Sequence, residues 1–333
     1  MSHLAWAGQA YPAFSVAPML DVTDRHFRYF LRLLSRQTLL YSEMVTTGAL
    51  LYGKQPERYL DFSAEEQPVA LQLGGSDPKA LAECAQRAEQ WGYAEVNLNV
   101  GCPSDRVQNN KIGACLMAEP VLVAACFQAM QAATSLPVTI KCRIGIDDQD
   151  EYQHLEDFIT QVAAAGCQIF IVHARKAWLK GLSPKENREV PPLNYQRVYQ
   201  LKREHPDLVI ALNGGLTDLD QCQTALEQVD SVMLGRAIWQ HPWLLAQVDA
   251  QIFAGPESSL TQHQAIQAYL PYVEQRLLAG DRFNPMLRPL LGVFQGVRGA
   301  KQFRRYLSEQ GHRAGAGPEV IEQALALVPS SLD

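Results

Sequence analysis

Eight short apolar runs, separated by amphipathic stretches of helical length, occupy the first 235 residues of this chain and restrict its fold more than any other feature. They are Phe14 to Pro18, Thr38 to Glu43, Val69 to Leu73, Glu95 to Asn99, Val138 to Cys142, Gln168 to His173, Leu208 to Asn213 and Ser231 to Gly235. Runs of this length, uniformly apolar rather than alternating, read as strands buried on both faces of a parallel sheet. The helices expected between them include Asp24 to Leu34, Pro78 to Trp91, Val121 to Ala133, Leu155 to Ala165 and Leu219 to Glu227. Asp77 is the predicted N-cap of the second, and Gly92 sits where a left-handed residue would end it. Strand and helix alternating eight times over about 240 residues predicts an α/β TIM (β/α)8 barrel; an open doubly wound sheet is the alternative.

After Gln251 to Ser259 the pattern becomes helical to the end, with basic positions at Arg276, Arg288, Arg298, Lys301, Arg304, Arg305 and Arg313. The expected division is therefore a barrel domain over residues 1–250 and a small all-α helical domain over residues 251–333. The net charge of -6 excludes binding of nucleic acid by bulk charge, so any polyanionic partner must meet local basic patches. Seven cysteines, an odd number with no C-x-x-C pair, point to free thiols in a reducing cytoplasm and to no metal centre. No signal peptide and no membrane-spanning stretch is read from the chain.

In a TIM barrel the chemistry gathers where the strands end. The fourth run leads into Asn99-Val100-Gly101-Cys102-Pro103, in which glycine and proline present a thiol beyond the strand. A protonated thiol placed there could donate a proton to a carbon acid. Lys141 ends an apolar run, where its ammonium would be costly unless it faced a ligand, and a cation at that place suits the N1/O2 edge of a flavin. His173 could bond a cofactor ring or phosphate, and Gln72 could offer both functions of its amide. Asn213-Gly214-Gly215 and Gly235-Arg236 put glycines after strands seven and eight, where barrels commonly bind phosphate. Cys115 in the nearby Gly-Ala-Cys-Leu reads as packing or loop support.

The segments APMLDVTDRHFR, LQLGGSDP, VNLNVGCPSDRV, VTIKCRIG, IFIVHARKAW, NGGL and LGRAIW resemble, in order and over nearly the whole chain, the tRNA-dihydrouridine synthases. Gly181 to Leu193 and Lys301 to Glu309 are further similar to the bacterial A-type members, which act on positions 20 and 20a of the tRNA D-loop. The resemblance implies an FMN enzyme reduced by NADPH that saturates the C5=C6 bond of uridine, with hydride passing to C6 and a proton from Cys102 to C5. It implies a phosphate site at Gly214, Gly215, Gly235 and Arg236, a ring-edge site at Pro18, Met19, Leu20, Gln72, Lys141 and His173, and a further cofactor contact at Asn213. Asn99 would hold the target base. Lys185 and Arg188, with Lys301, Arg304 and Arg305, are the expected tRNA contacts, and no obligatory protein partner or membrane is implied. Two alternatives stay open: a flavin barrel acting on a free small pyrimidine, of dihydroorotate dehydrogenase type, and an RNA-binding module whose flavin is structural.

Overall fold

A computed structural model describes Trp6, residues 9–104 and residues 111–329. Eight parallel strands close in sequence order into a barrel. They are β1 (Phe14–Val16), β2 (Leu39–Thr46), β3 (Val69–Gly74), β4 (Glu95–Asn99), β5 (Val138–Arg143), β6 (Ile169–His173), β7 (Val209–Asn213) and β8 (Ser231–Leu234). Closure is made by β1 pairing with β8, Val16 opposite Leu234. The TIM barrel expected from the eight runs is the fold observed, and the open sheet is excluded.

Two strands differ from the sequence reading for local reasons. β1 stops at Val16, two residues before Pro18, which has no N–H to offer a ladder. β2 runs on to Thr46 because its register with β3 shifts between Tyr41 and Met44, after which Met44, Val45 and Thr46 pair with Gln72, Leu73 and Gly74. An extra residue at such an irregularity breaks the pattern that a sequence reading follows.

The helices that matter below are α1 (Arg25–Leu34), α2 (Pro78–Gln90), α3 (Pro120–Ala133), α4 (Tyr152–Ala164), α5 (Tyr195–Glu204), α6 (Leu219–Leu226) and α7 (Arg236–Gln240). Asp77 caps α2 by accepting from the N–H groups of Lys79 and Ala80, and Gly92 beyond its end has φ 81°. The strands' outward side chains and the helices' inner faces form one apolar layer around the barrel. A second, smaller cluster fills the interior, where Trp6, Tyr11, Leu39, Tyr41, Ile171, Ala211 and Met233 meet.

Of the C-terminal helices α8 (Gln262–Leu278), α9 (Ala300–Gln310) and α10 (Pro318–Leu325), α8 packs on α1 of the barrel, α10 packs on α8 and α9 packs on α10. Tyr272 of α8 stacks on Tyr29 with centroids 3.9 Å apart, and its hydroxyl bonds Nδ1 of His26 at 2.8 Å. Tyr269 lies edge-on to Phe30 at 5.4 Å. Burying such rings is worth about 1.5–3 kcal/mol each, so the helices are anchored to the first βα unit by apolar contact rather than by charge.

Candidate active site

Strand register decides which side chains share the mouth of the barrel. Asn99 lies level with Lys141, Arg143 with His173, and His173 with Asn213. These residues end four successive strands on one rim.

The cysteine loop is held from three directions. Asn99 Oδ1 accepts from the N–H groups of Gly101 at 3.1 Å and Cys102 at 3.0 Å. The Cys102 carbonyl accepts from Ala114 N–H at 2.9 Å. Arg143 Nε donates to the Gly101 carbonyl at 2.8 Å. A side chain at Gly101 would put its Cβ 3.4 Å from the backbone of Cys142, so glycine lets the loop run close over β5. Cys102 is half-buried, whereas five of the seven cysteines are buried outright. The other half-buried one, Cys115, directs its thiol to the Ile112 carbonyl, in keeping with loop support. The stretch 105–110, which includes most of the motif's polar tail, lies outside the described residues.

Beside the loop sit Lys141 and Arg143, which have no carboxylate partner among the described residues. Lys141 Nζ donates to Asn213 Oδ1 at 3.0 Å, and Asn213 is itself fixed through Nδ2 to the Met233 carbonyl at 2.7 Å. Burial, then the neighbouring Arg143, pushes the Lys141 ammonium down to about 8. Arg143 is 4% exposed and its acceptors are the carbonyls of Gly101, Lys176 and Asn187, so burial brings it down to about 10. His173 is held neutral: burial first, then Arg143, Lys141, Arg175 and Arg188, depress its pKa well below the ordinary value. Its Nδ1 is buried with no hydrogen-bond partner.

The two glycine motifs flank this group. Gly214 and Gly215 have φ 105° and 77°, a conformation that side chains rarely adopt. A Cβ on Gly214 would stand 3.1 Å from the His173 ring, and one on Gly215 would stand 2.3 Å from Leu193. The Gly214 carbonyl is tied to the Tyr195 hydroxyl at 2.7 Å. Gly235 faces Ala17 and Met19 across the rim. Arg236 opens α7, and its guanidinium bonds Glu189 at 2.9 Å and the Arg188 carbonyl at 3.1 Å.

Pro18, Met19 and Leu20 follow β1 in a turn in which Met19 N–H donates to Thr23 Oγ1 at 3.0 Å, leaving Leu20 65% exposed. Gln72 is buried, and its neighbours engage both ends of its amide: Nε2 donates to Asn97 and Oε1 accepts from Asn99. The loop after β6 carries exposed Lys185 and Arg188 on one short turn, and Arg188 is within electrostatic reach of Cys102, Lys141 and His173. Lys301 and Arg305 lie on the exposed side of α9 and Arg304, half-buried, borders its buried residues Ala300 and Leu307, with Arg305 paired to Glu309 at 2.7 Å.

An orphaned imidazole nitrogen, an ammonium with a neutral partner and paired left-handed glycines form a donor set that suits an anionic ligand with a polar ring edge. FMN, with its phosphate and isoalloxazine, meets that description. Arg143 is the functional residue that sequence reasoning missed, with Asn187 and Glu189 beside it. Asn187 is wholly buried and bonds the backbone of Trp178 and Leu182, which shapes the loop that carries Lys185 and Arg188.

Residues 15–328 match the family described as dihydrouridine synthase (Dus). The chain belongs to the dihydrouridine synthase family. A relative from Escherichia coli strain K12 with the name tRNA-dihydrouridine(20/20a) synthase is 58% identical over 324 residues, covering 97% of this chain and 92% of its own. One of the same name from Shewanella oneidensis is 57% identical, covering 96% and 95%. One from Vibrio cholerae serotype O1 is 57% identical, covering 95% and 96%. Among solved structures, a 2-naphthoyl-CoA reductase complex superposes with a TM-score of 0.56 at 13% identity, over 71% of this chain and 49% of that one, a likeness of fold. The family match accounts for the barrel, and the resemblance seen in the motifs is borne out.

Proposed function

We propose that this synthase reduces the C5=C6 bond of uridine to 5,6-dihydrouridine at positions 20 and 20a of the tRNA D-loop, with FMN as resident cofactor and NADPH as reductant. The observation that carries the reading is the Cys102 loop, whose backbone is pinned by Asn99, Ala114 and Arg143 at the same rim as Lys141, Asn213 and His173. When bound, FMN supplies the hydride that C6 of the uracil receives.

The chain's own residues do the rest. Gly214, Gly215, Gly235 and Arg236 hold the phosphate, and Pro18, Met19, Leu20, Gln72, Lys141, His173 and Asn213 border the ring. Lys141 offers positive charge where negative charge accumulates, and neutral His173 offers a hydrogen bond without adding charge. Cys102 gives its proton to C5, and the thiolate regains one from solvent. Asn99 keeps one amide N–H beyond its bond to Gln72, which is available to the base.

A uridine stacked in folded tRNA must leave its stack to reach this mouth, at a cost of a few kcal/mol. Contacts of Lys185 and Arg188 near the mouth, and of Lys301, Arg304 and Arg305 on α9, offset that cost by neutralising phosphates. Such local patches let a chain of net charge -6 bind RNA. All seven cysteines are unpaired, which suits a cytoplasmic setting. The test is Cys102→Ala: the variant should keep its flavin and oxidise NADPH, yet form little dihydrouridine in tRNA scored by mass spectrometry. Undiminished product would remove Cys102 as the acid.

A further inference from the structure

The barrel interior holds a polar chain whose lower members, Glu95, Thr139 and Asn97, the proposed chemistry leaves without a role. Glu95, the first residue of β4, is fully buried. Its carboxylate accepts from the Tyr41 hydroxyl at 2.5 Å, Thr139 Oγ1 at 2.6 Å and the Trp6 indole N–H at 2.9 Å. From Thr139 the bonds climb toward the mouth. Asn97 Nδ2 donates to Thr139 Oγ1, Gln72 Nε2 to Asn97 Oδ1, and Asn99 Nδ2 to Gln72 Oε1, each at 2.8 Å. Asn99 Oδ1 then accepts from the N–H groups of Gly101 and Cys102. Period-two geometry explains the arrangement: residues 95, 97 and 99 share the inner face of β4, and Gln72 and Thr139 are the register partners of Asn97 on β3 and β5.

Every donor in this chain points away from Cys102 and toward Glu95. An ionised carboxylate only accepts, so Thr139 must donate to it and must therefore receive from Asn97. The same constraint passes through Gln72 to Asn99 and turns its oxygen toward the cysteine loop. Were residue 95 able to donate, each amide above it could turn over, and Asn99 would present its NH2 to two backbone N–H groups.

We propose that Glu95 is a positioning residue for Cys102, which acts through Thr139, Asn97, Gln72 and Asn99 to fix the amide orientation that caps the cysteine loop. Its catalytic meaning rests on the reading of Cys102 as proton donor. Burial pushes the Glu95 carboxyl up to about 7, against its donors Thr139, Tyr41 and Trp6, so it is ionised at pH 8.

The test is iodoacetamide labelling of the flavin-loaded protein at pH 8, with each cysteine followed by peptide mass spectrometry. Glu95→Gln keeps the volume but can donate, and Thr139→Val removes the first link while leaving the carboxylate in place with its bonds from Tyr41 and Trp6. Each should raise the labelling rate of Cys102 about fivefold, the effect of losing about one hydrogen bond, while buried Cys222 on α6 stays slow. Asn99→Ala should give a similar rise, and adding Glu95→Gln to it should change nothing further. Unchanged Cys102 labelling in both isosteric variants, a rise additive with Asn99→Ala, or a parallel rise at Cys222 from general loosening would each overturn the proposal. Dihydrouridine formation by Cys102→Ala is scored separately: undiminished product there rejects the proton-donor role, while the labelling result still decides the positioning role.

Discussion

Arg143 on β5 donates from Nε to the carbonyl of Gly101, one residue before the proposed acid, at 2.8 Å. Its Nη1 reaches the carbonyls of Lys176 and Asn187 in the loop after β6, each at 3.1 Å. One buried guanidinium thus joins the cysteine loop to the segment that bears Lys185 and Arg188.

Arg143→Lys should therefore be far from conservative. An ammonium cannot span three carbonyls in a fork, and each carbonyl left unsatisfied costs about 1–3 kcal/mol. Urea denaturation should show a loss of about 2–4 kcal/mol, and dihydrouridine formation should fall by more than the remaining folded fraction explains. Wild-type stability with normal turnover would contradict this link.

Lys141 should leave a signature in the pH dependence of the flavin-free protein. Its folded pKa of about 8 lies below the ordinary 10.5, so between those values the unfolded chain binds more protons than the folded one. Lys141's own contribution to stability should then rise with pH across that window, by up to about 3 kcal/mol, while the buried thiols of Cys84, Cys142 and Cys222, pushed up by burial, pull the total the other way above about pH 9. The stability of wild type relative to Lys141→Met should climb by that amount from pH 7.5 to 10.5, as measured by denaturation midpoints of the two proteins. A bound anion should flatten the wild-type curve by holding the proton on Lys141.

Gly214→Ala should act on the flavin site rather than on the barrel. The new methyl would meet the His173 ring at 3.1 Å and be forced into φ 105°. A cost of about 1–3 kcal/mol is expected, together with flavin content well below one per chain as read from visible absorbance. Full flavin occupancy would separate His173 from the cofactor.

Lys185→Ala with Arg188→Ala should weaken tRNA binding and leave flavin content intact. Arg236 is anchored to the Arg188 carbonyl, and truncating the Arg188 side chain preserves that bond. The slope of log affinity against log salt should shrink by about 2 units, one for each phosphate that is no longer neutralised. Lost flavin with unchanged tRNA affinity would reassign the loop to the cofactor.

The eight strands were legible because strands buried on both faces, such as Ile169–His173 and Val209–Asn213, leave uninterrupted apolar runs. The mouth was legible for a related reason: Cys102, Lys141, His173 and Asn213 stand where those runs end. β2 was cut short at Glu43, since its shifted register leaves no period to follow. Arg143 looked like an ordinary charged residue ending a strand, as its acceptors are backbone carbonyls 33 to 44 positions away, which carry no side-chain signature. Gln72 was legible as a polar residue near the mouth, but its bond to Asn97 was not, because the two lie on neighbouring strands, 25 residues apart in sequence.

The pairing of Val16 with Leu234 also sets a timetable for the ribosome. β1 emerges before the other seven strands, yet one of its edges has no partner until β8 has been translated. At elongation speeds of about 5–20 residues per second that delay is on the order of ten to forty seconds. For that time the nascent chain carries an open sheet edge, so slowing translation between β1 and β8 should raise aggregation or chaperone demand, whereas slowing it after Leu234 should not.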